Sequence, residues 1–206
     1  PEFSDRFERY AEDASSEQLR ERWGKVLASE IKKPGTFSGK VLRVIDELDS
    51  QTASLFERLM QYRIREALLK PIMPELNFAD TLALVSAGLI VEPGLSGHVT
   101  EWTEMRDNQG SELWVYGFGK FALGLKKDSP ITYGTDAPIE ENNGKPANPV
   151  FLLTDVGRAL STIISQDESK AGFQFLKKLK GYQPTEGVRF YVHDGGNNWK
   201  LLPTPE

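Results

Sequence analysis

The stretch WGKVLASEIKKPGTFS, residues 23–38, decides how the first third of the chain is organised. Pro34 restricts Lys33 to extended conformations and Gly35 tolerates a positive φ, so a helix that reaches this point must end here. Ser38 is a good N-cap for the helix that follows. The helix before the corner has one apolar stripe at i, i+4, i+7, i+8 and i+12, formed by Leu19, Trp23, Val26, Leu27 and Ile31. The stretch therefore predicts two helices joined by a tight corner.

Glu30 lies close to the end of the first helix, where its carboxylate can accept hydrogen bonds from the backbone amides of the turn over residues 36–38. The alternative role is a general acid or base, but helical spacing places no second carboxylate or histidine beside it. We therefore predict a structural corner rather than a site, with a partner-binding surface loop as the alternative. Its motif residues are Trp23, Glu30, Pro34, Gly35, Phe37 and Ser38.

Helical patterns also occupy the sequence on both sides of this corner. Ser15–Gln18 has the pattern of a capping box. The helix after Ser38 has an apolar face at Val41, Leu42, Val44, Ile45 and Leu48. A helix capped by Asp49 has its stripe at Ala53, Phe56, Leu59, Met60 and Ile64. We predict an N-terminal helical bundle over residues 4–75. Residues 1–3 look like a cloning scar, and we expect the chain to be a piece of a longer protein.

The pattern changes near residue 77, where helices give way to alternating strands. Asn77 caps a short helix that Gly88 ends. Strands are predicted over 98–105, 113–123, 149–154 and 188–192, and helices over 155–164 and 168–180. A polar loop over 126–148 is long enough to be functional. The predicted fold class is α+β, with a second domain over residues 76–206.

Composition excludes several classes of function. The 206 residues have a net charge of -5 and no cysteine, which excludes disulfides and thiol catalysis. From residue 4 to 75 the charges balance at 13 cations and 13 acids, whereas residues 76–206 have 12 cations and 16 acids. This acidic balance counts against nucleic-acid binding. No signal peptide or long apolar run is visible, so we expect a cytoplasmic protein that does not enter a membrane.

The sequence contains no recognisable catalytic, metal or phosphate-binding constellation. His98 with Glu101, and His193 with Asp194, lack the spacing of a known metal site. Gly117–Lys120 is a short Gly-Lys fragment inside a strand pattern, not a phosphate loop. No nucleophile elbow accompanies a histidine. We therefore predict a non-enzymatic protein with no cofactor.

Lys177, Lys178 and Lys180 form a basic cluster near the end of the last predicted helix. A solvated helix face is the structural interpretation. The alternative is a contact with RNA, DNA or an acidic partner. Three strand aromatics, Trp114, Tyr116 and Phe118, share one face by alternation, so we expect most of them in the core, and any left exposed would be an interface anchor.

The corner motif, followed by Leu42 and by ASLF at residues 53–56, resembles a bacterial family of domains of unknown function. It is also loosely similar to the helical region of Abi-alpha-like phage-defence proteins. The resemblance is close over residues 5–70 and weak elsewhere. It implies a helical domain and a link to phage defence, and it brings no activity with it.

A second resemblance joins AGLI at residues 87–90 to FLLTDVGRAL at residues 151–160. Winged-helix proteins often have such sequences after a helix and after a wing strand. The resemblance implies a winged-helix-like unit, elaborated because residues 91–150 are far longer than an ordinary wing. Its recognition helix would be residues 78–85, which contain no Lys or Arg to contact a base or a phosphate.

These observations favour an interaction or assembly module of a larger bacterial or prophage protein, linked to phage defence. Its partner would be another protein or a second copy of the chain. The alternative is a nucleic-acid-binding module that uses the winged-helix-like unit and the lysine cluster. An exposed apolar patch favours the first hypothesis, and a continuous basic surface favours the second.

Overall fold

A computed structural model describes residues 2–12, 17–107, 110–134, 136–195 and 199–203. The fold is α+β, and the chain divides into two compact units that alternate along the sequence. Unit 1 comprises Pro1–Met60, Leu76–Glu92 and Leu153–Gln166. Unit 2 comprises Gln61–Glu75, Pro93–Leu152 and Asp167–Glu206.

Unit 1 is built from helices with identifiable caps. Its elements are α1 (Glu2–Glu12), α2 (Glu17–Lys32), α3 (Gly39–Glu47), α4 (Ser50–Leu59), α5 (Phe78–Ser86) and α6 (Asp155–Ser161). The side chains of Ser38, Asp49, Asn77 and Thr154 each accept a backbone N–H in the first turn of the helix that follows. The capping box predicted from Ser15 lies outside the described residues.

The helices of unit 1 pack in pairs that are distant in sequence. α1 and α6 both contact α3, and α5 contacts α4. An isolated antiparallel bridge between Ile90 and Leu153 joins the segments that follow α5 and precede α6. The predicted boundary at residues 75 and 76 differs from this division, because α5 and α6 complete the helical unit and residues 61–75 belong to unit 2.

Unit 2 contains two antiparallel sheets and one long helix. The first sheet has the order β1-β2-β8-β3, with β7 also paired to β8. Its strands are β1 (Arg63–Ile64), β2 (Ala67–Leu69), β3 (His98–Glu101), β7 (Glu140–Asn142) and β8 (Lys145–Leu152). The second sheet has the order β10-β9-β6-β5-β4. Its strands are β4 (Thr103–Arg106), β5 (Glu112–Phe118), β6 (Phe121–Lys126), β9 (Val188–His193) and β10 (Trp199–Leu202).

The core of unit 2 lies between the two sheets and the helix α7 (Glu168–Lys180). Tyr116, Phe118 and Phe175 are buried there, and Trp114 packs against them. A Cβ on Gly172 would lie 2.0 Å from the ring of Phe118, so this glycine lets α7 approach β5 closely. The expectation that most of the strand aromatics belong to the core is confirmed for Tyr116 and Phe118, and Trp114 is partly buried.

Several predicted elements have different bounds in the structure. α4 ends at Leu59 and a 3₁₀ turn follows, so Ile64 lies in β1 and not in a helix. The strand predicted over 98–105 is broken at Trp102, whose N–H bonds to Pro146 O, and its two halves join different sheets. The segment 113–123 folds into a hairpin that turns at Gly119, where φ is 52°. β7 and β8 occupy the end of the predicted 126–148 loop.

The apolar stripe of α2 is also only partly buried. Trp23, Val26 and Glu30 form its buried face, whereas Leu27 and Ile31 are exposed. The buried positions of α2 are therefore three and four residues apart, as expected for one face of a helix. The third of these positions is Glu30, a polar residue that a pattern of apolar residues does not include.

Candidate functional site

The Glu30 carboxylate closes the corner between α2 and α3. Its Oε1 accepts the Gly35 N–H at 2.5 Å and its Oε2 accepts the Phe37 N–H at 3.0 Å. Gly35 has a φ of 85°, which gives the turn a conformation that other residues rarely adopt. Glu30 is 9 % exposed, so both oxygens are used for structure in a place that water hardly reaches. This arrangement can hold a turn, but it leaves no free carboxylate for proton transfer.

The other motif residues also lie in unit 1. Phe37 and Trp23 are buried, whereas Pro34 and Ser38 are exposed. The Ser38 hydroxyl accepts the Val41 N–H at 3.4 Å as the cap of α3. The Trp23 ring stacks on Tyr10 and meets Phe7 edge-on, with centroids 6.0 and 5.5 Å away. The structure therefore places Glu30, Pro34, Gly35, Phe37 and Ser38 at the helix corner, whereas Trp23 lies earlier in α2, in an aromatic cluster with α1.

Helix α5 presents an apolar face to solvent. Phe78 is 82 % exposed and Leu82, four residues later, is 51 % exposed. Residues four apart lie on the same face of a helix, so the two side chains are neighbours. The one charged residue of α5, Asp80, accepts a hydrogen bond from the Asn77 side-chain amide at 3.0 Å. Leu84 points the other way and is fully buried, which anchors the helix in unit 1.

The segment after α5 is locked to the start of α6. The Thr154 hydroxyl donates to Gly88 O, and the Thr154 N–H donates to Leu89 O at 3.1 Å. A Cβ on Gly157 would lie 2.0 Å from Leu89 O, so only glycine fits at this position. The threonine and glycine of the LTDVG sequence thus hold the α5 turn against α6.

The lysine cluster is partly engaged in local contacts. Lys178 Nζ donates to Pro71 O at 2.6 Å, and Lys177 is exposed. Lys180 is half-buried and also has an interaction partner. All three lie in the last turns of α7, where positive charge complements the helix dipole. These lysines therefore stabilise the end of α7 and its contact with residue 71.

The candidate metal ligands do not form a common site. Glu101 accepts hydrogen bonds from Asn142 and Lys145. His193 packs its ring on Trp199, and its Nδ1 accepts the Gly195 N–H at 3.3 Å. No group of three or more potential ligands occurs within the described part of the chain.

The second sheet of unit 2 has one covered face and one open face. α7 and the first sheet cover the face that contains Tyr116 and Phe118. Side chains alternate along strands, so the intervening residues lie on the opposite face, which we call the open face. Leu113, Ala122 and Tyr191 form its buried centre. At its margins Met105, Trp199 and Leu201 are 44 %, 37 % and 47 % exposed.

A groove of about 820 Å³ runs along this open face. Its floor includes Val115, Gly117 and Ala122, and Met105 and Leu201 flank it on opposite sides. The small residues Gly117 and Ala122 leave space above β5 and β6, and the larger side chains of Met105 and Leu201 enclose it. The groove was not predicted from the sequence, because β10 follows a turn and was not predicted as a strand.

One end of the groove is held by Glu168, the first residue of α7. Its two carboxylate oxygens accept the Arg65 N–H at 2.6 Å and the Gly119 N–H at 3.0 Å. Arg65 and Gly119 both have positive φ, near 55° and 52°. Glu168 therefore fixes two tight turns at once, and its oxygens are occupied by backbone amides.

Tyr191 is the polar group at the centre of the open face. It is mostly buried, and its hydroxyl has no hydrogen-bond partner among the described residues. Burial raises the pKa of Tyr191, and the negative charge of Asp107 raises it further. The phenol therefore stays protonated at neutral pH and offers an O–H donor.

Comparison with known proteins adds one match. Residues 1–68 match the model of a family described as a protein of unknown function, DUF2806. No curated protein and no solved structure matches the chain. No helix of the described residues is long and apolar enough to cross a membrane.

Proposed function

We propose that this chain is a non-enzymatic protein-interaction module and that α5 docks onto a second copy of the chain. The observation that carries the proposal is the exposed pair Phe78 and Leu82. Burying an exposed side chain of this size contributes about 1.5–3 kcal/mol, so two adjacent ones are suitable interface anchors. This free energy is gained only when both side chains are buried in an interface.

The charges around α5 support a second copy as partner. The helix has no Lys or Arg, and its one acid, Asp80, is hydrogen-bonded to Asn77. Two such faces can meet about a two-fold axis without opposing cations, and Phe78 of each copy would reach Leu82 of the other. A phosphate backbone has no cation to contact on this helix.

The winged-helix-like resemblance gives α5 the place of a recognition helix. The bridge between Ile90 and Leu153, followed directly by α6, supports that interpretation of unit 1. An apolar helix in this place suits protein contact better than DNA contact. The larger bacterial or prophage protein and the link to phage defence rest on the resemblance of residues 5–70.

The test is sedimentation equilibrium of the whole chain over a wide concentration range. We expect reversible self-association that the double variant Phe78→Ser/Leu82→Ser abolishes. Leu95→Ser is the matched control, because Leu95 is fully exposed and lies outside α5. A wild-type chain that stays monomeric at every concentration would overturn the proposal. Self-association of the double variant as strong as that of the wild type would overturn it as well.

A parallel titration against duplex and single-stranded DNA and RNA tests the alternative. Tight binding with a steep salt dependence, lost when Lys177, Lys178 and Lys180 become Glu, would establish the nucleic-acid module instead. The lysine contacts described above predict no such binding.

A further inference from the structure

The groove on the open face has the size and lining of a small-molecule site. Its volume of about 820 Å³ falls in the range of ligand pockets, which are mostly apolar with a few placed polar groups. Leu113, Val115 and Ala122 supply apolar floor, and Met105 and Leu201 supply apolar walls. The site is independent of α5 and of the proposed self-association.

The shape of the groove favours an extended occupant. Its floor follows β5 from Leu113 to Phe118 and reaches the turn at Gly119. Six residue steps of a strand span about 20 Å. Gly117 and Ala122 pair across the two central strands, so the lowest part of the floor lies between the flanking walls. A straight apolar chain can follow the groove over this length of strand.

The charge of the groove favours an anionic occupant. The Arg65 guanidinium lies at the end beside Gly117, where a Cβ would come within 2.9 Å of Nη2. It also packs on the Tyr116 ring, 5.5 Å from its centroid. The lining also has two acids: Glu168, whose oxygens accept two backbone amides, and Asp107, which follows β4 at the opposite end of β5 from Gly119. A guanidinium at the end of an apolar groove is a good partner for a carboxylate.

Two further cations lie on the same face of the sheet. Lys126 and Arg189 alternate with the core residues Leu125 and Val188, which places them on the open face. A Cβ on Gly124 would lie 3.3 Å from Arg189 Cβ, which agrees with this placement. Both lie outside the lining of the groove, whose own charged residues are Arg65, Arg106, Asp107 and Glu168.

We propose that the groove binds an amphipathic carboxylate, a straight-chain fatty acid, with its chain along β5 and β6 and its carboxylate at Arg65. Each methylene that enters the groove should raise the affinity about fourfold until the floor is filled. Replacing the carboxylate by an uncharged hydroxyl should weaken binding, because the guanidinium then loses its charged partner.

The test is calorimetric titration of the whole chain with octanoate, decanoate and dodecanoate below their micelle concentrations, with decanol as the uncharged analogue. We expect one site per chain, affinity that rises with chain length, and weaker binding of decanol. Arg65→Gln should lower decanoate affinity about tenfold and remove the preference over decanol. Met105→Ser/Leu201→Ser should weaken the acid and the alcohol alike.

The matched control is Lys177→Gln, which removes an exposed cation from α7, on the covered side of the sheet. Circular dichroism and the urea midpoint verify that each variant is folded. The absence of saturable decanoate binding would overturn the proposal. Equal affinity of the wild type for acid and alcohol, or binding unchanged by the wall variants, would overturn it as well.

Discussion

Glu30 shows how much a single carboxylate can contribute to local structure. It accepts two backbone amides within one turn, and hydrogen bonds to a charged group contribute about 1.5–3 kcal/mol each. We expect Glu30→Ala to lower the free energy of unfolding by about 3 kcal/mol and Glu30→Gln by less, since the amide keeps one acceptor oxygen. Urea denaturation measures both.

Glu17→Gln is the control for this series, because the Glu17 side chain is 90 % exposed and forms an ion pair with Arg20, three residues along the same helix. We expect a change within about 0.5 kcal/mol. A loss for Glu30→Ala no larger than for this surface variant would show that the corner does not depend on the carboxylate.

Asp49 makes the start of α4 sensitive to acid. Its Oδ1 accepts the Thr52 N–H at 2.8 Å, and this hydrogen bond lowers the pKa of Asp49. The folded-state pKa lies below the unfolded value of about 4, so the contribution is complete above that value and disappears as pH falls through the folded pKa. Asp49→Asn keeps a capping oxygen that does not titrate.

We therefore expect the stability difference between wild type and Asp49→Asn to shrink as pH falls from about 5 toward 2. Urea midpoints of the two proteins across this range measure the effect. A difference that stays constant with pH would contradict a role for the charge of Asp49 in the cap.

At the scale of elements, α6 depends on one glycine. A Cβ at residue 157 would collide with the carbonyl oxygen of Leu89, and backbone cannot move aside as a flexible side chain can. We expect Gly157→Ala to lower the free energy of unfolding by about 3 kcal/mol. Chemical denaturation of the variant measures it.

Gly24→Ala is the matched control within the same unit. Gly24 is exposed in the middle of α2 and nothing lies within 4 Å of a Cβ built on it. Alanine is the better helix former by up to about 1 kcal/mol, so this variant should gain stability. Destabilisation by both substitutions to the same extent would contradict the close contact at Leu89.

Elements with local signals were predictable from sequence, and elements defined by distant pairing were not. The caps at Ser38, Asp49, Asn77 and Thr154 lie beside the helices they start, and α7 was predicted with its observed ends. The break at Trp102 depends on a bond to Pro146, which no local pattern announces. The open face is formed by five strands whose register the sequence does not reveal. Neither the groove nor the position of Arg65 in it could therefore be predicted.

At the scale of the whole molecule, the units cannot be separated by one cut in the sequence. Residues 1–75 contain α1 to α4 but lack α5 and α6, and they end inside unit 2. We expect this fragment to be helical by far-ultraviolet circular dichroism yet to unfold without a cooperative transition, because α3 loses its contact with α6 and α4 loses its contact with α5.

The whole chain under the same conditions is the reference, and thermal scans of both report the difference. A sharp transition in the fragment, with dispersed amide resonances, would show that the first four helices fold alone. The domain boundary predicted near residue 75 would then describe an independent folding unit.

The pairing of α3 with α6 has a consequence during synthesis. About 110 residues separate the end of α3 from the start of α6, so at 5–20 residues per second the ribosome needs roughly 5–20 s to supply the partner. Val41, Leu42 and Ile45 have only part of their final neighbours during that delay. The nascent chain therefore presents apolar surface to chaperones until α6 has been synthesised.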